Sequence, residues 1–190
     1  MRIIAGDMRS HRLKAPGGMD TRPTADRVKE ALFSILNGRV YGAKVLDLYA
    51  GSGALALEAL SRGAESAVLV DSGRNAWPVI QENIDTLGCG DRATLLRMQD
   101  TAALRLLQKQ NARFDLIFLD PPYRMDTAPV CAAIAASGLL KEDGMIVAEH
   151  SRDTPPNVAP PLVLTDRREY GAAGLSFYEW ERPEREGSAE

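Results

Sequence analysis

Four consecutive residues, Asp120-Pro121-Pro122-Tyr123, follow a strongly apolar run from Phe114 to Leu119. They combine an anionic acceptor, two rigid backbone positions and an aromatic ring. That set suits an exocyclic amine on a nucleobase. Such an amine is planar and weakly nucleophilic because its lone pair is delocalised into the ring. Acceptors bonded to both of its N–H hydrogens would redirect the lone pair toward an electrophile. Asp120 can supply one acceptor. Proline fixes its own φ and biases the preceding residue toward extended backbone, so the Pro121 carbonyl can supply the other, with Pro122 holding it in place. Tyr123 then offers a face on which a base extruded from its helix could stack. In isolation, the same residues describe a rigid loop that ends a buried strand, with Tyr123 as ordinary packing.

A second constellation lies upstream, Asp47-Leu48-Tyr49-Ala50-Gly51-Ser52-Gly53-Ala54-Leu55-Ala56. Gly51-x-Gly53-x-x-Ala56 matches the alanine-ended dinucleotide fingerprint, and Asp71 falls where a ribose-binding acid belongs, which keeps an NAD-dependent oxidoreductase open. Charge argues the other way. A carboxylate at Asp47 would repel a pyrophosphate at this turn but attract the ammonium and sulfonium of S-adenosylmethionine. Asp47, Asp71, Asp100 and Asp120 all fall at or just beyond the ends of predicted strands, which share one crevice in open α/β sheets. There Asp71 would accept from ribose hydroxyls and Asp100 from an adenine amino group. Asp100-Thr101 could equally just open a helix.

The elements that must position these residues follow from periodicity. Apolar runs at Lys44–Leu48, Ala67–Asp71, Ala93–Leu96, Phe114–Asp120 and Met145–Glu149 predict five strands, and their near-continuous apolarity predicts burial on both faces. Amphipathic stretches at Gly53–Arg62, Asn75–Leu87, Thr101–Gln110 and Thr127–Ser137 predict the intervening helices. Leu162–Tyr170 and Leu175–Trp180, joined through Gly171-Ala172-Ala173-Gly174, predict an antiparallel hairpin closing the sheet edge. Before the first strand, Val28, Ala31, Leu32, Ile35 and Leu36 predict an amphipathic helix with Thr24 as N-cap, and Arg2 to Ala15 predicts a small hairpin. The predicted organisation is an extension over residues 1–40, a catalytic domain over 41–182 and a flexible tail over 183–190.

With 190 residues, 45% hydrophobic and 26% charged, the chain fits one globular domain. The net charge of −3 hides an asymmetry: residues 1–30 carry seven basic against four acidic side chains, as suits contact with a phosphate backbone through one region. No apolar run is long enough to span a membrane and the start lacks a signal peptide, so a cytoplasmic protein is expected. Cys89 and Cys131 are expected to be reduced and structural, and no metal site is expected. His11 and His150 read as surface or polar contacts, and Trp77 and Trp180 as packing.

Taken together, these residues resemble the RsmD-type methyltransferases, which modify a guanine N2 in small-subunit ribosomal RNA. The resemblance runs through Arg2-Ile3-Ile4-Ala5-Gly6, Thr21-Arg22-Pro23-Thr24, Arg27 to Phe33, Asp47 to Leu55, Glu58 to Ala64, Asp120 to Tyr123, Tyr170-Gly171 and Tyr178-Glu179. It implies a Rossmann-like S-adenosylmethionine methyltransferase fold with a seven-stranded, mostly parallel sheet, its C-terminal hairpin antiparallel. It also implies cofactor contacts at Asp47, Ala50, Gly51, Ser52, Gly53, Asp71 and Asp100, with Arg22 and Thr24 beside the methionine end, and catalysis at Asp120, Pro121, Pro122 and Tyr123. The implied partner is 16S ribosomal RNA within the small subunit, and the implied state a monomer. Departures are Ala56 for a glycine, Asp71 where glutamate is common, and Met8 to Arg12 in place of a glycine-rich turn. Two rivals stay open beside the oxidoreductase: an N6-adenine methyltransferase on DNA or RNA, since this turn can hold either amine, and a non-catalytic RNA-binding module.

Overall fold

The computed structural model describes residues 1–17, 23–122 and 125–182, with residues 23–25 as backbone. Arg22, Tyr123 and the expected tail over 183–190 lie outside the described residues, as does the side chain of Thr24.

Seven strands form one sheet in the order β3-β2-β1-β4-β5-β7-β6. They are β1 (Lys44–Asp47), β2 (Ser66–Asp71), β3 (Ala93–Arg97), β4 (Phe114–Leu119), β5 (Leu140–Ser151), β6 (Leu162–Tyr170) and β7 (Ala173–Trp180). The first five are parallel, and β7 pairs antiparallel with both β5 and β6. Successive side chains of a strand point to opposite faces. Thus Leu116 and Phe118 enter one apolar cluster while Ile117 and Leu119 enter the other. Helices α1 (Pro23–Ile35), α2 (Ala54–Ser61) and α3 (Ala76–Leu87) cover the first face. The second face is covered by α4 (Asp100–Lys109) and α5 (Ala128–Ser137). Chain order reverses between β1 and β4, and in such sheets ligands bind in the crevice beyond the strand ends at that point.

The N-terminal segment packs into the same cluster as α1, α2 and α3, through Ile3, Met8 and Leu13. Its expected hairpin is a single antiparallel bridge, Arg2 to Arg12, around a turn. Most of its fastening is side-chain chemistry. Glu58, buried in the alanine- and leucine-rich α2, accepts the Ile4 N–H at 2.8 Å and the Ala5 N–H at 3.0 Å. The same carboxylate meets Arg62 Nε at 2.8 Å and buried Lys29 Nζ at 3.2 Å. Asn83 of α3 accepts the Lys14 N–H and donates to the carbonyls of Lys14 and Ser52. This holds the segment against the glycine turn, and Pro16 reaches the crevice wall.

Four expectations are corrected. Thr24 is not the N-cap of α1: the helix begins at Pro23, whose fixed φ suits a first helical position, which leaves Thr24 inside it. The buried stripe of α1 is Val28, Lys29, Leu32 and Phe33, continued by Leu36 just past its end and rotated so that Ile35 is 37% exposed. β5 runs from Leu140, its polar first half bulging between the pairs Phe114↔Leu140 and Leu116↔Met145. The hairpin turn is the two residues Gly171-Ala172 (φ 63° at the glycine), because Tyr170 already pairs with Ala173.

Candidate functional site

The turn from β1 into α2 is tight and has a specific frame. Gly53 has φ 80°, and a Cβ there would stand 3.0 Å from Leu69 and 3.1 Å from Leu57, so conformation and space both require glycine. Asp71, at the end of β2, accepts the Gly51 N–H at 2.8 Å through one carboxylate oxygen and the Gly73 N–H at 2.7 Å through the other. The Gly51 amide, which a dinucleotide pyrophosphate would need, is therefore occupied by an anion of the protein itself. That disfavours the oxidoreductase reading.

Beyond the strand ends lies a cavity of about 780 Å³, lined by Pro16, Leu48, Tyr49, Gly51, Asp71, Ser72, Gly73, Asn75, Ala76, Met98, Gln99, Asp100, Asp120, Pro121, Pro122 and Met125. Its size suits a nucleoside-like ligand. Four distant segments carrying expected residues thus converge: Gly51 from the turn, Asp71 from the end of β2, Asp100 from the start of α4 just beyond β3, and Asp120-Pro121-Pro122 from the end of β4. Asp100 is not free: it accepts its own helix's Thr101 N–H at 2.6 Å and the Tyr49 hydroxyl at 2.6 Å. Burial and that carboxylate hold the Tyr49 phenol well above its usual range.

Asp47, Ala50, Ser52 and Gly53 are not in the cavity wall; they form the frame behind it. Ser52 and Ala50 are each 7% exposed and Asp47 is 1% exposed. The Asp47 carboxylate turns inward, where one oxygen accepts the Ala56 N–H at 3.3 Å and the other, Oδ1, has no partner. Burial foremost, with the nearby Asp120 charge, pushes its pKa up to about 7. Its charge, on which the sequence argument for a cationic cofactor rests, is thereby weakened.

Asp120 opens onto the cavity but is otherwise crowded by protein, which raises its carboxyl to about 6. It also lines a second, smaller recess with Pro121, Pro122, Met125, Glu149 and His150. Glu149 gave only a faint signal in the sequence, as a residue at a strand end. Burial, then the Asp120 charge, pushes it up to about 8. Beside it His150 is buried and locked: Nδ1 lies 2.7 Å from the Ser151 carbonyl and must carry the proton, so Nε2 accepts from the Ser176 hydroxyl at 2.8 Å. Burial keeps this imidazole neutral, with its pKa lowered. His11 is exposed and remote. Trp77 is not simple packing, since its indole N–H donates to the Asp71 carbonyl at 2.7 Å and braces the end of β2. Trp180 likewise donates to the Lys141 carbonyl, at 2.9 Å. Cys89 and Cys131 are buried free thiols. Among the described residues, no helix is long and apolar enough to cross a membrane.

Residues 1–179 match the family model described as Conserved hypothetical protein 95. Ribosomal RNA small subunit methyltransferase D of Haemophilus influenzae is 31% identical over 181 residues, covering 94% of this chain and 93% of that protein. A Bacillus subtilis protein with the provisional name of an rRNA methyltransferase is 39% identical over 180 residues, covering 94% and 98%. A solved Escherichia coli chain, provisionally described as a methyltransferase, superposes with a TM-score of 0.82 at 32% identity, covering 96% of this chain and 99% of its own.

Proposed function

The chain belongs to the family described as Conserved hypothetical protein 95, the RsmD-type methyltransferases, and from that premise we propose that it methylates the exocyclic N2 of a guanine in 16S ribosomal RNA, within the small subunit, in the cytoplasm. The observation that carries the assignment of roles is the position of Asp120-Pro121-Pro122 at the mouth of the 780 Å³ cavity, beside the glycine turn.

The residues fit S-adenosylmethionine. Asp71 and Asp100 present carboxylates to the cavity wall for the ribose and adenine ends, and the unpartnered Asp47 Oδ1 lies in the frame behind the turn. A cation nearby would restore its suppressed charge. When bound, S-adenosylmethionine supplies an electrophilic methyl group on a sulfonium. Asp120 accepts one amine N–H and the Pro121 carbonyl the other, which aims the nitrogen lone pair out of the base plane. A methyl group accepted from the sulfonium would make the nitrogen acidic. Asp120, raised to about 6, takes its proton. Arg2, Arg9, Arg12 and Lys14 are exposed along the N-terminal segment and offer a phosphate backbone a basic surface.

The test is methyl transfer from labelled S-adenosylmethionine to small ribosomal subunits, with the product nucleoside identified by mass spectrometry. N2-methylguanosine is expected, with Asp120→Ala at least about 100-fold slower. N6-methyladenosine, or an Asp120→Ala rate equal to the wild type, overturns the reading.

A further inference from the structure

Ala148 of β5 pairs in parallel with Leu119 of β4, so the next residues, Glu149 within β5 and Asp120 just past the end of β4, stand side by side at the same end of the sheet. Both line the small recess, and only Asp120 also lines the larger cavity. The Asp-Pro-Pro turn thus divides a cofactor side from a second side with its own half-buried acid. Nothing in amine activation as described above uses Glu149. The recess leaves about 10 Å³, room for one water-sized group, so it can receive the polar edge of a base but not its ring.

We propose that Glu149 is a specificity residue which, as a neutral carboxylic acid, reads the edge of guanine beside the amine: its carbonyl oxygen accepts from N1–H while its hydroxyl donates to O6. The proposal rests on the guanine reading of the function. With the N2 amine on Asp120, guanine presents N1–H and O6 next in order, a donor followed by an acceptor. A protonated carboxyl presents the complementary pair. Adenine, with its N6 amine on Asp120, presents the bare N1 and then C2–H, so at most one hydrogen bond forms and the acid's carbonyl stays unpaired against the base.

The surroundings keep that proton in place. The groups facing Glu149 are Asp120 from β4, with Asp47 of β1 behind it, the neutral His150 beside it and Leu175 opposite on β7. Arg167 and Glu169 of β6 act on His150. Among the described residues no cation pairs with either carboxyl. Both carboxyls are raised, Glu149 further because the Asp120 charge adds to its burial, so of the two Glu149 holds its proton longer.

The test uses full-length protein on small ribosomal subunits between pH 6 and 9, reading kcat/KM for N2-methylguanosine. Glu149→Ala should lose about 10- to 100-fold at neutral pH. Glu149→Gln, which keeps an acceptor and a donor side by side, should recover most of that loss. Wild-type kcat/KM should decline as pH passes about 8, whereas Glu149→Gln should show no decline there. Calorimetry with S-adenosylhomocysteine checks each variant's fold, and near-wild-type affinity is expected. A Glu149→Ala value within threefold of the wild type, or the same alkaline decline in Glu149→Gln, overturns the proposal alone. Failure of the wild type to form N2-methylguanosine overturns the guanine reading, and this proposal with it.

Discussion

Glu58 and Asp47 are buried carboxylates flanking one glycine turn, and their surroundings are opposite. Glu58 receives two backbone N–H groups, the Arg62 guanidinium and the Lys29 ammonium. Asp47 receives one long hydrogen bond, leaves an oxygen unpartnered and lies near Asp120, which in turn borders Glu149. Burying an ion costs several kcal/mol unless partners offset it. The first cluster is a fastener complete within the chain. The second is a set of acids held together without compensating cations, an arrangement that persists where a ligand supplies what is missing.

The largest effect that would sharpen this contrast is at the fastener. Glu58→Ala strands Lys29, already lowered in pKa by burial despite the Glu58 charge, and frees the amides of Ile4 and Ala5. A loss of about 3–5 kcal/mol is expected, on the order of 10 °C in Tm for a chain of this size. Calorimetry or chemical denaturation measures it; a loss below about 1 kcal/mol would mean that the N-terminal segment is held by its apolar contacts and that the two clusters differ less than described.

Only part of this contrast could be read from the chain. The alternation of apolar runs and amphipathic stretches gave the strand order its raw material, and the acids at the ends of β1 to β4 pointed to one crevice. Glu58 was hidden because a single carboxylate in Ala-Leu-Ala-Leu-Glu-Ala-Leu-Ser looks like the polar side of a helix, although every neighbour in that stretch is small or apolar. Lys29 was hidden likewise, as a charge on the apolar face of α1. Pro16 reaches the cavity through contacts of Lys14 with Asn83, far away in sequence, which periodicity does not encode. Asp47 was found but misplaced: its type fits the cofactor's charge, while its inward rotamer depends on the Ala56 amide.

A smaller loss is expected at the recess. Gly174 pairs with His150 across β5 and β7, and an added Cβ would overlap the imidazole ring. Gly174→Ala should cost about 1–3 kcal/mol by displacing the ring from Ser176 and should impair turnover more than cofactor binding. Equal activity in the variant would mean that His150 merely fills space beside Glu149.

Asp47→Asn probes the uncompensated side and has the opposite sign. The folded-state pKa of Asp47 is raised from 3.8 to about 7, so between those values the folded protein keeps a proton that the unfolded chain has lost. Stability from this group therefore falls as pH rises through that window. The amide carries no such charge, so Asp47→Asn should be roughly 3–4 kcal/mol more stable than the wild type at pH 8 and nearly equal at pH 4, while binding S-adenosylhomocysteine more weakly. Thermal unfolding across pH reads the crossover; a variant destabilised equally at both pH values would place Asp47 with Glu58 as a purely structural acid.

Asp100 stands between the two extremes, since it lines the cavity yet already has the Tyr49 hydroxyl and the Thr101 amide. Tyr49→Phe removes only the hydroxyl. If that bond orients Asp100 toward a ligand, affinity for S-adenosylhomocysteine should fall about 2- to 10-fold, the equivalent of about 0.5–1.5 kcal/mol, with Tm changed by no more than a few degrees. Titration calorimetry separates this from the alternative, in which the hydroxyl competes with the ligand for Asp100 and the variant binds more tightly. Tighter binding would move Asp100 toward the self-satisfied class that Glu58 represents and leave Asp71 as the principal acid on the ligand.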